Sequence, residues 1–521
     1  MPMALLGGEY LGLRRRAEGL EVLFSGRQRW MSGRSWAGLG LLLLAAFLVR
    51  LGGAVWWQNR LASPQEFFFP DSDSYWHLAR TIGLGQPYQY GSPDARVFRT
   101  PGYPAVLAVV FWLGGPEVPV LWGRVLGAGL GVACVGCCWW LGRRLFGPRA
   151  GWLAGLAAAL YPEAVAASIF ILSEAAFCPV LCFQLVMLLQ TWQAEDLRKT
   201  IGYSLAAGLL GGLGTLVRPS WFWFTPLTAV LGVVCAGKIF DGGKSAAGQP
   251  TEGEVRLEPS PPRSRSPRGI VRLAMAGAML AGMIVVLLPW WIRNYRVVGR
   301  FTPTTLQVGA SLYDGLHPAA SGKSDMRFVE EFAQSERWLL NYRGPEVRIL
   351  DPERWNRGKK SAEPVEKVSD RGVPEPEGPT VIWEYWLDRA MAEEALRWAW
   401  GHPKEVMRLA WAKLRRMWTP WPNEPALSAS PLAAVVGGSY LPVLLAGLLG
   451  LVHAGRRGGL LVVVLLVLPS LYLSLVHSIL VGSVRYRGPA MFGWIVLGAG
   501  WLTEKFRPIE PRLDLLGKGA A

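Results

Sequence analysis

The chain has 521 residues, of which 51% are hydrophobic, and a formal net charge of +16. So apolar a composition excludes an ordinary soluble protein of this length, and runs long enough to cross ~30 Å of hydrocarbon recur throughout, so the chain reads as an all-α polytopic membrane protein. The positive charge gathers beside those runs, as the positive-inside rule expects, and so does not call for a nucleic-acid partner.

Residues 1–35 are polar and basic, with Arg14, Arg15, Arg16, Arg27, Arg29 and Arg34, and lead directly into a full span. This is the pattern of a cytoplasmic segment with no cleavable signal peptide. Spans are expected at 36–57, 119–141, 150–167, 173–191, 200–217, 219–237, 271–291, 432–453, 459–478 and 488–503. The segment "YPAVLAVVFWLGG" (Tyr103–Gly115) is short for a span and reads as a re-entrant or interfacial helix. The flanking Arg34, Arg143, Arg144, Arg198, Lys199, Arg456, Arg457, Lys505 and Arg507 all fall on one side if both termini are cytoplasmic.

That threading organises the chain. Residues 36–237 form an N-terminal transmembrane module that includes a first outside loop, 58–118. A cytoplasmic linker, 238–270, leads to a span at 271–291; an outside region, 292–431, precedes a C-terminal module and short tail, 432–521. Within the linker "SPPRSRSPRG" reads as flexible, and "KSAEPVEKVSDRGVPEPEGPT" in the outside region reads as loose. By contrast, "TVIWEYWLDRAMAEEALRWAW" and "PKEVMRLAWAKLRRMWTPW" carry apolar residues and Trp at helical spacing. They read as amphipathic helices in the membrane interface, parted at His402-Pro403.

The six cysteines, Cys134, Cys137, Cys138, Cys178, Cys182 and Cys235, all lie in apolar segments. "CVGCC" has no His or carboxylate nearby, so hydrocarbon packing outweighs a zinc site, and no disulfide framework is implied.

The polar residues beside the first span carry the chemistry. In "FFFPDSDSYWHLAR" (Phe67–Arg80), Asp71 and Tyr75 are four apart and share a helix face. Asp71 is either a helix cap, with Ser72 as the other candidate, or a carboxylate placed to take a proton from an attacking hydroxyl or amine. Asp73 is its rival, pointing elsewhere on the helix. His77 reads as an interfacial or supporting residue rather than a metal ligand. Next, "RVFRTPGYP" is a rigid turn containing Arg99 and Tyr103; Arg99 is either a headgroup anchor or a partner for phosphate or Asp71. "ILSEAAF" places Glu174 in an apolar helix near its outer end, where an ionisable group demands a partner. "LVRPSWFWF", "PWWIRNYRVVGRF" and "SVRYRGPAMF" bring Arg218, Arg293, Arg485 and Arg487 to outer span ends, where planar guanidiniums suit phosphate.

The order of these pieces resembles bacterial polytopic glycosyltransferases of the GT-C superfamily, and within it family 39, which includes protein O-mannosyltransferases and lipid A aminoarabinose transferases. The resemblance rests on "DSDSYWHLA", "RTPGYP", "LSEAAF", "LVRPS", "PWWIRNYRVVGRFTP" and "VRYRGP", in that order across most of the chain. It implies a GT-C-like bundle of about 10–12 transmembrane helices in the bacterial cytoplasmic membrane, with outer-face loops and interfacial helices. It implies a polyprenyl-phosphate-linked sugar as donor, an active site on the outer face, and Asp71 as the catalytic acid/base. Direct displacement would invert the anomeric centre, and the lipid phosphate leaves as a stable anion. No cofactor is called for, and Asp71 with Asp73 would hold a divalent metal only weakly. The linker 238–270 and the polar middle of 292–431 depart from the family pattern, leaving a glycan, a lipid or a protein as acceptor. A lipid-linked glycan ligase or polymerase and a lipid or sugar transporter are the rival readings; ionisable residues at one face rather than the midplane disfavour transport.

Overall fold

The computed structural model describes residues 33–91, 95–194, 196–241, 268–335, 383–456 and 459–505. The expected basic N-terminus up to residue 32, most of the expected linker (242–267), the Pro-rich stretch within 336–382 and the tail from 506 lie outside the described residues. Hydrocarbon offers backbone groups no partner, so apolar segments satisfy them within helices. Among the described residues there is accordingly helix and no strand.

The helices are α1 (Gly33–Gln58), α2 (Pro70–Gly83), α3 (Gly102–Gly114), α4 (Val120–Phe146), α5 (Pro148–Leu160), α6 (Pro162–Ile169), α7 (Glu174–Gln193), α8 (Leu197–Val217) and α9 (Phe224–Asp241). They continue with α10 (Arg268–Val298), α11 (Val308–Gly315), α12 (Arg327–Gln334), α13 (Trp383–Gly401), α14 (Pro403–Trp418), α15 (Pro425–Ser428), α16 (Leu432–Arg456), α17 (Leu460–Ile479) and α18 (Met491–Lys505). Seven are long and apolar enough to cross a membrane, and α5 with α6 makes an eighth if that pair, bent by 55°, is one span. The expected span at 488–503 is a helix of 15 residues, and α3, with 13, stays short of a crossing.

The bend between α5 and α6 has a local cause. Pro162 has no N–H to give to the Ala158 carbonyl. Arg50 of α1 replaces it: Nη2 donates to Ala158 O at 3.0 Å and Nη1 to Ala159 O at 3.1 Å. At the other end of α6, Arg124 donates from Nη1 to Ile169 O at 3.0 Å and from Nε to Gln58 Oε1 at 2.9 Å. Both arginines are buried, and neither forms an ion pair among the described residues. Each puts positive charge at the negative end of a helix, which accounts for them without a carboxylate.

Long helices approach one another over small residues. A Cβ on Gly208 of α8 would collide with the Met279 carbonyl of α10, and one on Gly282 of α10 with the Leu205 carbonyl. One apolar core runs from Ala46 to Ala499. The end of α1, the start of α4, the α6–α7 junction, the end of α8 and the α17–α18 loop share one end of the bundle, and α2 packs there. Opposite them, Arg144 donates to Gln193 Oε1 at 2.9 Å, and His453 meets Glu504. The helices α13 and α14 are amphipathic as expected: Leu387, Met391 and Leu409 face inward, whereas Trp400, Met407 and Trp411 are exposed.

Gly208→Ala should therefore lower stability by more than about 2 kcal/mol, the range of overpacking against backbone. Gly202→Ala, facing open space on the same helix, should be neutral or gain a few tenths of a kcal/mol. Thermal unfolding of the two purified proteins in one detergent checks this; equal midpoints would contradict the close α8–α10 crossing.

Candidate active site at one end of the bundle

The approach to α2 is anchored by aromatic rings. Phe68 packs on Trp57 and Phe69 on Phe170, with centroids 5.3 and 5.1 Å apart, tying the chain to the ends of α1 and α6. Pro70 then opens the helix, a position its fixed φ suits. Asp71 sits in the first turn, where the helix dipole favours negative charge. No side chain caps this helix, so the alternative of Asp71 or Ser72 as its cap finds no hydrogen bond.

The Asp71 carboxylate instead meets two arginines. Oδ1 accepts from Arg99 Nη2 at 2.7 Å, and Oδ2 accepts from Arg485 Nη2. Burial alone would push the Asp71 pKa up; the two guanidiniums outweigh it and hold the carboxyl well below its usual range. Arg99 is itself fixed on α2, with Nε donating to Ser74 Oγ at 2.8 Å and the guanidinium 4.5 Å from the centre of the Tyr75 ring. Tyr103 packs edge-on against Tyr75, with centroids 5.1 Å apart. These contacts give Tyr75 and Tyr103 the role of a floor under Arg99.

The partner that Glu174 demands is Arg218, whose Nη1 donates to Oε1 at 3.1 Å; both are buried. Arg485 Nε lies 3.6 Å from the same oxygen, so Arg485 bridges Glu174 and Asp71. Tyr486 lies beside both cations, its centre 4.8 Å from the Arg218 guanidinium and 5.2 Å from that of Arg485. His477 stacks on the ring of Tyr486 at 4.0 Å. Within this cluster three guanidiniums, Arg99, Arg218 and Arg485, face two carboxylates, Asp71 and Glu174. One positive charge is left unmatched.

The other expected residues are placed differently. Asp73 is exposed and accepts from Tyr90 OH at 2.8 Å, and His77 packs its ring near Tyr90 at 5.8 Å. Arg293 stands outside the cluster, donating to Tyr88 O at 3.3 Å with its guanidinium 4.8 Å from the centre of the Trp290 ring. Arg487, expected among phosphate ligands, is fully buried and saturated by Glu163, Met417 O and Thr419 O. Arg485 lies in a 3-10 turn, Val484–Tyr486, and Arg487 at the junction between that turn and the next, Gly488–Ala490, which sends them to different partners. No group of three His, Cys, Asp or Glu side chains able to hold a metal occurs among the described residues. Glu163, the buried acid Glu384 and the half-buried Asp388 of α13 escaped sequence reading. The signal for the last two was present, since they stand four apart on the inward face of an amphipathic helix. Burial pushes Glu384 up to about 8 and Asp388 to about 6.

The fold and site thus define an all-helical, multi-span membrane protein with an acid–arginine cluster at one end of its bundle. Residues 99–238 match the family model for dolichyl-phosphate-mannose-protein mannosyltransferases. The matched stretch holds Arg99, Tyr103, Glu174 and Arg218, but neither Asp71 nor Arg485. No curated protein matches the chain. Among solved structures, ArnT from Cupriavidus metallidurans bound to undecaprenyl phosphate is 17% identical, covering 91% of this chain and 79% of that one, with a TM-score of 0.36. The apo form of that protein aligns at 15% identity over 90% and 78% of the chains, with a TM-score of 0.34. The oligosaccharyltransferase AglB from Archaeoglobus fulgidus, in complex with an inhibitory peptide and a dolichol-phosphate, is 14% identical over 91% of this chain and 51% of that one, with a TM-score of 0.48.

Because the folded Asp71 pKa is depressed, its pairs contribute stability that is full above the ordinary carboxylate range, begins to be lost as pH falls through that range, and is gone once pH passes the folded value. Thermal midpoints taken from pH 7 down to pH 3 should fall less steeply for Asp71→Asn than for the unaltered protein. Parallel curves would mean that the ion pairs do not persist in solution.

Proposed function

We propose that this chain is a membrane glycosyltransferase that moves a sugar from a polyprenyl-phosphate-linked donor to an acceptor hydroxyl or amine, with inversion. The observation that carries the reading is the unmatched positive charge of the Asp71–Glu174–arginine cluster at one end of the bundle; a lipid-borne anion is the partner it suits. The match of residues 99–238 to a mannosyltransferase family supports it independently.

The resting geometry imposes a condition. A carboxylate held by two guanidiniums is a weak base. The donor phosphate, binding Arg485 and Arg218, draws Arg485 away from Asp71 Oδ2 and raises the basicity of that oxygen. Arg99 keeps hold of Oδ1 and so keeps the carboxylate oriented. The acceptor oxygen or nitrogen then bonds to the anomeric carbon, and its proton passes to Asp71. The bond from that carbon to the phosphate oxygen breaks, its electron pair leaving with the lipid phosphate. Arg485 and Arg218 meet the charge gathering there. Asp73, His77 and Tyr90 line the exposed side of α2 and serve the acceptor. The basic flanks support both termini in the cytoplasm and this end of the bundle on the outer face of a bacterial cytoplasmic membrane.

The decisive assay is release of polyprenyl phosphate by the purified protein, supplied with a panel of polyprenyl-phosphate sugars and with acceptor-containing membranes. Asp71→Asn should cost about 10²–10⁴-fold in rate while Asp73→Asn stays within several fold. Near-normal turnover by Asp71→Asn removes it as the base. Arg485→Ala should raise the donor KM, with only partial rescue by Arg485→Lys, which lacks the planar fork.

Orientation is tested separately. A cysteine at exposed Glu330 should react with an impermeant maleimide added to intact cells. Reaction only after the cells are opened would put the cluster on the cytoplasmic side.

A further inference from the structure

Glu384 is almost completely buried near the start of α13. Its Oε2 accepts two backbone N–H groups, those of Arg96 and Val97, each at 3.0 Å. Its Oε1 is buried with no partner among the described residues. The same short stretch is gripped from its other side: Leu306 N–H donates to Val97 O at 2.9 Å, and Thr305 Oγ1 donates to that oxygen at 2.8 Å. The Val97 side chain is buried with Trp290, Val298 and Leu306. Tyr88 OH donates to Arg99 O at 3.1 Å. One helical turn beyond Glu384, Asp388 Oδ1 accepts Gly309 N–H at 2.6 Å. Two acids on one face of α13 therefore hold two separate segments, the stretch at 96–97 and the start of α11.

Adhesion alone does not require this arrangement. A buried carboxyl with an idle oxygen costs more than a well-packed apolar side chain would. What the acid supplies is geometric: two adjacent amides converge on one oxygen, fixing the direction in which the chain leaves Val97. Arg99, two residues later, is the side chain that reaches Asp71.

We infer that Glu384 is a positioning residue, fixing the backbone at 96–97 so that the Arg99 guanidinium lands on the Asp71 carboxylate. The inference rests on the reading of the Asp71 cluster as the transfer centre. Glu384 acts through Arg99, not through contact with substrate. Burial raises its pKa to about 8, opposed by the two amides and by Arg293 and reinforced by Asp388. Glutamine keeps one acceptor oxygen at the same reach and is the conservative replacement.

The test uses the full-length protein in detergent and has two arms. In hydrogen–deuterium exchange, Glu384→Ala should speed exchange of the Arg96 and Val97 amides at least about tenfold while amides within α3 are unchanged, and Glu384→Gln should restore protection. In polyprenyl-phosphate release from the donor panel, Glu384→Ala should lower kcat about 10–100-fold with little change in donor KM, as expected for a misaligned centre. Glu384→Gln should stay within about threefold, and the double variant Glu384→Ala/Arg99→Ala should be no slower than Arg99→Ala alone.

Normal turnover by Arg99→Ala would overturn the reading of the cluster, whatever the exchange data say. An impaired Arg99→Ala beside a normal Glu384→Ala, or losses that multiply in the double variant, would overturn the positioning role alone. Unchanged exchange at 96–97 would overturn the clamp itself. If Glu384→Ala is not recovered folded, Glu384→Asp, one methylene shorter, takes its place in both arms with the same expected order and the same overturning results.

Discussion

Asp71 is held by Arg99, 28 residues further on, and by Arg485, 414 residues further on. Much of the architecture at that end of the bundle follows from this meeting. Taking an arginine out of water carries a desolvation penalty of several kcal/mol, offset by close charge partners or, as for Arg50 and Arg124, by hydrogen bonds at helix C-termini. The first loop, the start of α7, the end of α8 and the α17–α18 loop must therefore come together, because the first loop carries two members of the cluster, Asp71 and Arg99, and the others one each. The aromatic rings around Phe69 and the proline at the start of α2 serve the same end by fixing where the first carboxylate stands.

The cluster is also out of balance, and the imbalance gives it a direction of response. With three cations against two acids, the single charge of an arriving phosphodiester matches the unpaired guanidinium, and on the proposed reading it can share the cluster without breaking every existing pair. Arg485 is the natural member to move. It bridges both acids from a short loop, whereas Arg218 is buried against Glu174 and Arg99 is stacked on Tyr75. On the proposed reading, the same guanidinium that suppresses Asp71 at rest releases it when the donor binds, so that basicity appears only when there is a proton to take.

Much of this was legible in the chain and some was not, for physical reasons. Apolar length announced the long helices, and the cost of burying Glu174 announced a partner before Arg218 was seen to fill that place. The 3.6-residue period put Asp71 and Tyr75 on one face. Spacing could not separate Arg485 from Arg487, since a 3-10 turn rather than a regular helix decides where each points. Nor could it distinguish a headgroup arginine from Arg50, which lies inside the first span and serves carbonyls left open more than a hundred residues later. Such a need arises only after α5 breaks at Pro162. Glu384 was hidden for the opposite reason: amid Trp and charged residues it resembles one more solvated acid, and only the fold turns it inward.

The amphipathic pair α13 and α14 connects these features. Glu384 of α13 holds the segment that carries Arg99. From α14, Lys413 Nζ donates to Ile479 O at 2.6 Å and Arg416 Nε to Gly482 O at 3.3 Å, while Asn423 Oδ1, just beyond, accepts Val484 N–H at 2.7 Å. Those three contacts hold the loop that carries Arg485. Gly482 is required there, because any Cβ would strike the Lys413 backbone. Both arginines on Asp71 are thus set by one helical hairpin, whose other face leaves Trp400, Met407 and Trp411 exposed. Side chains of that kind favour the boundary between water and hydrocarbon. On the proposed reading, a hairpin seated there would set the height of both guanidiniums against the membrane surface, where the phosphate of a lipid-linked sugar is held by its own tail.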